Sequence, residues 1–444
     1  MGDDDRRAAV DDAAPLLDGV SSRAAPERRS IPVGRALSVV TCGIVAVVVV
    51  VLVTLVPGRR GSPPHCLVVV SLDGFRYDYL KHLPPDSALQ RLAAEGVHVN
   101  RLRPVFPSKT FPNHYTLVTG VFPETHGIVG NHFFDPTDST WFTMGSTESK
   151  WWGAEPIWVT AELQRRQANV FFWPGSSAVI KGVSPTVTFP YNESVTFEER
   201  IDRAREWVGQ GVQRPPLIMV YLSEPDASGH EYGPDSEQTI SAIHRADSMI
   251  SRLIDGLDRT NVDLLIVSDH GMVNIGDSPD KIIDLDKFLH VPIPNRLRVA
   301  ACTPELQIYP DADLIPEIVQ NLSAAVKQYP NIKVYRKEEI PRRFQYRDNA
   351  RIAPFVVVAD VGYKIVGKSF GCPDDGLRGG HGFDNDDPRM GGILIGVGPS
   401  FEERKQVPIL NNTEVYETMC RILEIVPAPN NGTRSGIDSL LKHT

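Results

Sequence analysis

Three carboxylates, three imidazoles and one alcohol recur in short motifs spread along the chain. Asp73 lies in Ser-Leu-Asp-Gly, and Asp226 and His230 lie in Glu-Pro-Asp-Ala-Ser-Gly-His. Asp269 and His270 share Ser-Asp-His-Gly-Met, His381 follows Gly379-Gly380, and Thr110 sits in Lys-Thr-Phe-Pro-Asn-His-Tyr. Mixed imidazole and carboxylate donors suit zinc better than magnesium or calcium, which favour all-oxygen shells. Such a set is suited to two adjacent divalent metals that stabilise the attacking and leaving oxygens of an in-line displacement. An activated hydroxyl between them would be the nucleophile.

Each residue also has a plainer reading. Asp269 and His270 are neighbours, and only a turn after a strand lets both reach one ion; otherwise they are a loop acid and a surface imidazole. Asp226 and His230, four apart, share one side of a helical turn or belong to a polar loop. The glycines around His381 allow close backbone approach but also occur in ordinary turns. Thr110 stands before Phe111-Pro112 and reads as a helix N-cap. A helix N-terminus there would also hold a phosphate beside the hydroxyl. Asn131, after Gly130, is either a turn residue or an amide donor to a phosphate oxygen.

These residues need elements to position them. Buried-type apolar runs occur at Cys66–Leu72, Asn169–Phe172, Leu217–Leu222, Val262–Val267, Leu297–Ile308 and Ile393–Val397. Helical patterns fall between them, at Ser87–Glu95, Thr196–Val208, Ser236–Asp258, Leu314–Gln328 and Asn412–Ile425. This alternation predicts an α/β fold with a largely parallel central sheet and helices on both faces. Ligands of such sheets gather beyond the carboxyl ends of the strands. Asp73, Asp226 and Asp269 each follow a predicted strand, so three acids converge on one rim. Residues 66–444 read as a single catalytic domain.

The chain has 444 residues, 41% apolar and 23% charged, with a net charge of −9. That balance suits a globular core and excludes the basic surface expected of a nucleic-acid binder. Residues 1–35 have a polar, Asp- and Arg-rich composition and read as a disordered cytoplasmic tail. Ala36–Pro57 is a charge-free apolar run, long enough to cross a hydrocarbon core of about 30 Å as one helix. Residues 58–65 form a stalk.

Arg23, Arg28, Arg29 and Arg35 outnumber Arg59 and Arg60 across the span. The resulting expectation is a single-pass type II membrane protein with its catalytic domain extracellular or luminal, at the cell surface or in the endosomal or vacuolar system. Asn192, Asn321, Asn411 and Asn431 begin glycosylation sequons, all beyond the span. Cys66, Cys302, Cys372 and Cys420 lie there too and are compatible with two disulfides.

Taken in order, the motifs resemble the ectonucleotide pyrophosphatase/phosphodiesterase family of the alkaline phosphatase superfamily. The resemblance runs from Leu67 to Ile425. It includes Phe-Pro-Ser-Lys-Thr110-Phe-Pro-Asn-His-Tyr, Thr-Gly-Val-Phe-Pro-Glu-Thr-His126-Gly-Ile, Trp151-Trp152-Gly and Phe-Trp173-Pro-Gly-Ser as well as the acid and imidazole motifs. It implies an alkaline-phosphatase-like fold and two zinc ions per subunit, one on Asp226, His230 and His381, the other on Asp73, Asp269, His270 and Thr110. It further implies hydrolysis of phosphodiester and pyrophosphate bonds in nucleotides, through a threonyl intermediate on Thr110, releasing nucleoside 5'-monophosphates. Asn131 would support a non-bridging oxygen, and Phe111 and Tyr191 would flank the base.

Phe111 is shared with lipid-cleaving relatives, so Tyr191 carries the choice of nucleotide over lysophospholipid or choline phosphodiester. A catalytically inactive binding protein on this fold is the reading from another class, and every ligand and the nucleophile are nonetheless present. Sulfatase chemistry needs a Cys or Ser nucleophile, which Thr110 is not.

Overall fold

The structure is a computed structural model that describes residues 66–257, 259–289 and 296–442. The predicted tail, the span over residues 36–57 and the stalk lie outside the described residues. Among those described, no helix is long and apolar enough to cross a membrane.

Thirteen strands carry the argument. In chain order they are β1 (Cys66–Leu72), β2 (Val97–Arg103), β3 (Ala168–Phe171), β4 (Val187–Thr188), β5 (Leu217–Leu222), β6 (Val262–Val267) and β7 (Leu297–Ala300). They continue with β8 (Glu305–Pro310), β9 (Ile332–Arg336), β10 (Phe355–Ala359), β11 (Gly392–Val397), β12 (Lys405–Val407) and β13 (Leu410–Asn411). The helices discussed are α1 (Ala88–Glu95), α2 (Thr110–Thr119), α3 (Phe197–Val208), α4 (Asp226–Tyr232), α5 (Glu237–Ile254), α6 (Ile315–Gln328) and α7 (Glu414–Ile422).

The main sheet has nine strands in the order β12-β2-β11-β6-β1-β5-β3-β4, with β13 also on β2. Its central pairs, β6-β1, β1-β5 and β5-β3, are parallel, whereas β11 runs antiparallel to both neighbours. The sheet is therefore mixed and mostly parallel, an alkaline-phosphatase-like α/β arrangement.

Every residue of β1, β5 and β6 is buried, because both faces are covered. Leu67 and Val69 face a core shared with Tyr115, Leu117 and Val118 of α2 and Val415 and Met419 of α7. Val68, Val70 and Leu72 face the opposite core with α1, α3 and α5. Two buried faces explain why these strands read as continuous apolar runs rather than alternating ones. Helix α3 starts at a capping box, in which Thr196 Oγ1 accepts from Glu199 N and Glu199 Oε2 accepts from Thr196 N.

Two expectations need correction. The run Leu297–Ile308 is not one strand of the main sheet. It folds as the hairpin β7-β8 in a separate antiparallel sheet ordered β7-β8-β10-β9, with α6 against it. Ala301 at φ +59° and Pro304, which has no N–H to offer a ladder, turn the chain between the two halves. The four cysteines form one disulfide, not two. Cys302 and Cys372 are bonded, while Cys66 and Cys420 are free and buried. Cys66 belongs to the core on one face of the main sheet and Cys420 to the core on the other, so the sheet separates them. The Cys66 thiol donates to Pro215 O at 3.3 Å, and burial pushes it up to about 12.

Candidate active site

The three central parallel strands end together. Leu72 pairs with Leu222 and Ser71 with Val267, so β5, β1 and β6 present their carboxyl ends on one edge. Asp73 follows β1 directly, Asp269 comes two residues after β6, and Asp226 opens α4 four residues after β5. The backbone N–H of Asp226 donates to Asp73 O at 3.1 Å, and Gly74 N donates to Asp269 Oδ1 at 3.2 Å. Gly74 has φ +65°, and a Cβ there would lie 2.8 Å from Asp226 Cβ, so only glycine lets the two acids approach.

The helical alternative for Asp226 and His230 is the one found: both sit on α4, with His230 Nε2 3.5 Å from Asp226 Oδ2. His381, just after the short strand Gly379–Gly380, places Nε2 3.0 Å from His230 Nε2 and 3.5 Å from Asp226 Oδ1. His270 Nε2 is 3.0 Å from Asp269 Oδ2, 3.5 Å from Asp73 Oδ1 and 3.3 Å from Thr110 Oγ1. All seven predicted residues thus meet in one cluster.

Each imidazole is oriented by its other nitrogen: His230 Nδ1 faces Gly379 O, His381 Nδ1 faces Ser108 O, and His270 Nδ1 faces Gly271 O. Such contacts turn each Nε2 toward the cluster, where it could serve as a ligand atom.

The donor set fits a cation. Asp73 Oδ1 and Asp226 Oδ1 are buried and have no hydrogen-bond partner, and Asp269 Oδ2 meets imidazole nitrogens alone, a costly state for carboxylate oxygens unless a positive charge meets them. Ligand atoms of Asp73, Asp269 and His270 all lie within 4.8 Å of one another, as do those of Asp226, His270 and His381. His270 belongs to both groups, so the two halves of the cluster are contiguous.

Charge is shared unequally within it. Burial, then the neighbouring Asp269 and Asp226 carboxylates, raise the Asp73 carboxyl well above the usual range. Burial also opposes ionisation of Asp269, but the His270 and His114 imidazoles outweigh it and hold that carboxyl well below the usual range. Burial and the facing His270 and His230 push His381 well below an ordinary histidine.

Thr110 is the first residue of α2 rather than its cap; Lys109 occupies the cap position and has no side-chain cap bond. The difference is one residue, and it leaves the Thr110 hydroxyl free to face His270. Asn113 secures the turn, donating to Pro107 O and Lys109 O while accepting from Val105 N. Asn131 Oδ1 accepts from Phe111 N at 2.9 Å, which leaves its amide nitrogen beside the helix N-terminus. Phe111 packs against Phe142 and Trp152. Tyr191 is 51% exposed, and its ring centroid is 6.3 Å from that of Tyr221.

Several residues of the cluster were not read from the sequence. Tyr221 donates to Asp73 Oδ2 at 2.6 Å; its position one residue before the end of a predicted strand was the available signal. His114, one helical turn beyond Thr110, places Nδ1 2.9 Å from Thr110 O and 3.3 Å from Asp269 Oδ2. Lys109 Nζ is ion-paired to Glu305 of the second sheet at 3.0 Å, both buried. That pair joins elements nearly two hundred positions apart, which no local pattern reports. Of the sequon residues, Asn192, Asn411 and Asn431 are exposed and Asn321 is partly exposed.

The model of the type I phosphodiesterase / nucleotide pyrophosphatase family matches residues 67–384. The bis(5'-adenosyl)-triphosphatase enpp4 of Xenopus laevis is 37% identical over 87% of this chain and 83% of its own length. Family member 1 of Homo sapiens is 38% identical over 87% of this chain but 43% of its own length. The chain likewise spans about half the length of the Crotalus venom phosphodiesterases it matches. Murine ectonucleotide pyrophosphatase/phosphodiesterase 5, solved as an inactive variant in complex with AMP, superposes with a TM-score of 0.79 at 38% identity, covering 85% of this chain and 100% of that one. The chain belongs to the ectonucleotide pyrophosphatase/phosphodiesterase family and is a hydrolase of that kind.

Proposed function

We propose that the Asp–His cluster is a two-zinc centre at which Thr110 cleaves phosphodiester and pyrophosphate bonds of nucleotides, releasing nucleoside 5'-monophosphates. The observation that carries this reading is the set of three buried carboxylate oxygens that face one another and imidazole nitrogens beside the Thr110 hydroxyl. Asp226, His230 and His381 would hold one ion, and Asp73, Asp269, His270 and Thr110 the other. Bound zinc would supply positive charge to the phosphate oxygens and acidify the hydroxyl.

The chain's own residues do the rest. The Thr110 N–H and the positive end of α2 would receive the phosphate, and the Asn131 amide would donate to a non-bridging oxygen. A preorganised donor of this kind contributes about 3 kcal/mol to the transition state. The bond from Thr110 Oγ1 to phosphorus forms as the bond to the leaving oxygen breaks, and water then cleaves the threonyl ester. His114 holds the Thr110 carbonyl and Asp269 together through this exchange, and Tyr221 keeps Asp73 oriented.

Tyr191 and Phe111 would flank the base. The murine relative's complex with AMP supports a nucleotide substrate. The span over residues 36–57 would anchor the enzyme with this domain outside the cytosol. A glycosidase-sensitive mass shift would accompany that placement, and its absence would sink it.

Comparing ATP, a dinucleoside polyphosphate and glycerophosphocholine as substrates tests the reading. AMP and pyrophosphate from ATP are expected, whereas cleavage of the choline ester alone would replace it. Two in-line displacements also predict retention at phosphorus with a chiral phosphorothioate ester; inversion would exclude the threonyl ester.

A further inference from the structure

Arg200 on α3 is 1% exposed, and among the described residues it has no carboxylate ion-pair partner. A buried guanidinium without a counter-charge is costly, so its remaining contacts must repay it. They are specific. Nε and Nη2 both donate to Val195 O, at 3.2 and 3.0 Å, and Nη1 donates to Tyr221 O at 3.0 Å. The guanidinium carbon lies 4.9 Å from the Phe172 ring, 5.1 Å from Phe197 and 5.9 Å from Tyr191, all within cation–π range.

These contacts join two parts of the substrate side. Residues 189–196 lie outside any helix or strand. The Thr196–Glu199 capping box and the stacking of Phe189 on Trp207 join the segment to α3 at its two ends, and Val195 O is where Arg200 holds it beside Tyr191. Tyr191, in the same segment, meets the edges of Phe172 at 5.2 Å and Tyr221 at 6.3 Å, lies beside the Arg200 guanidinium, and leaves about half of its surface open to solvent. The carbonyl of Tyr221 is on Arg200 while its hydroxyl is on Asp73.

We infer that Arg200 is a positioning residue for substrate choice: it preorganises Tyr191 as a standing aromatic wall at a fixed offset from Asp73. It touches no substrate. Its contribution is the ordering cost that Tyr191 no longer has to meet when a base stacks on it. The inference rests on the nucleotide reading of Tyr191.

The test uses two substrates with one leaving group: the p-nitrophenyl ester of thymidine 5'-monophosphate, which has a base, and methyl p-nitrophenyl phosphate, which has none. Arg200→Met and Arg200→Lys should each raise KM for the nucleoside ester, by about tenfold for Met. The kcat should hold, and kcat/KM for the methyl ester should be unchanged. Lys keeps the charge and loses the fork to Val195 O and Tyr221 O, so it should lie between Met and the native enzyme. In a Tyr191→Ala background the selective effect should vanish.

Equal losses on both substrates, no change on either, or additivity with Tyr191→Ala would each overturn the inference. So would failure of both Arg200 variants to fold, which would assign the buried cation to the fold alone. A selective loss in Tyr191→Ala without one in the Arg200 variants overturns this inference and spares the nucleotide reading. No selective loss in Tyr191→Ala overturns both.

Discussion

Around Asp73 the chain packs three acids against one another and against imidazoles, and around Tyr191 it exposes an aromatic ring to solvent. Asp73 and Asp269 are 1% exposed and follow fully buried strands, held by the Gly74 N–H, the Tyr221 hydroxyl and the His114 and His270 imidazoles. Tyr191 is half exposed in an irregular segment that α3 secures through Arg200. On the proposed reading, the buried floor would serve any phosphodiester, and the exposed wall would select which phosphodiester arrives. Reaction and specificity would then rest on different parts of the fold, and substitutions should separate them.

The largest expected effect is on the floor. Thr110→Ala should cut kcat by about a thousandfold or more with the fold intact; residual activity near the native rate would show that the hydroxyl is not the nucleophile. Glu305→Gln comes next, because it leaves Lys109 buried without its partner beside Thr110. A loss of about 3 kcal/mol in unfolding free energy is expected, read by denaturant titration, and an unchanged midpoint would mean that the second sheet does not brace the nucleophile helix. On the wall, Tyr191→Ala should raise KM for nucleotide esters about tenfold and leave kcat nearly unchanged. A matching fall in kcat would erase the division between floor and wall.

A subtler effect concerns protons. Asp73 is raised by burial and by two neighbouring acids. A raised carboxyl stabilises the metal-free fold fully below the ordinary range, about pH 4, and that contribution is lost as pH rises through its raised value. Measured against an Asp73→Asn variant, the chelated native enzyme should therefore lose stability as pH rises above about 4, and zinc should restore it with release of protons. A stability difference between the two proteins that stays constant from about pH 4 to 7 would contradict this. The smallest effect is expected at the thiols. Cys66 and Cys420 should resist a thiol reagent until the chain unfolds, and rapid native labelling of either would contradict their burial.

Much of the floor was legible in the sequence because local rules govern it. Strands buried on both faces show as unbroken apolar runs, their ends fix where a following Asp must lie, and Asp226 and His230 are one helical turn apart. Other features depend on long-range packing. The hairpin at Ala301–Pro304, the pairing of Cys302 with Cys372 and the Lys109–Glu305 ion pair each join segments whose proximity no spacing encodes. Arg200 looked like an ordinary helix charge, since its lack of a carboxylate partner becomes visible only once its neighbours are placed.

The central claim is that the clustered acids and facing imidazoles form a metal centre. Anomalous X-ray diffraction from crystals of the native protein, measured on either side of the zinc edge, tests it most directly. Two zinc peaks are predicted, one among Asp226, His230 and His381 and one among Asp73, Asp269 and His270. A fully active enzyme with no anomalous peak in this cluster would contradict the account.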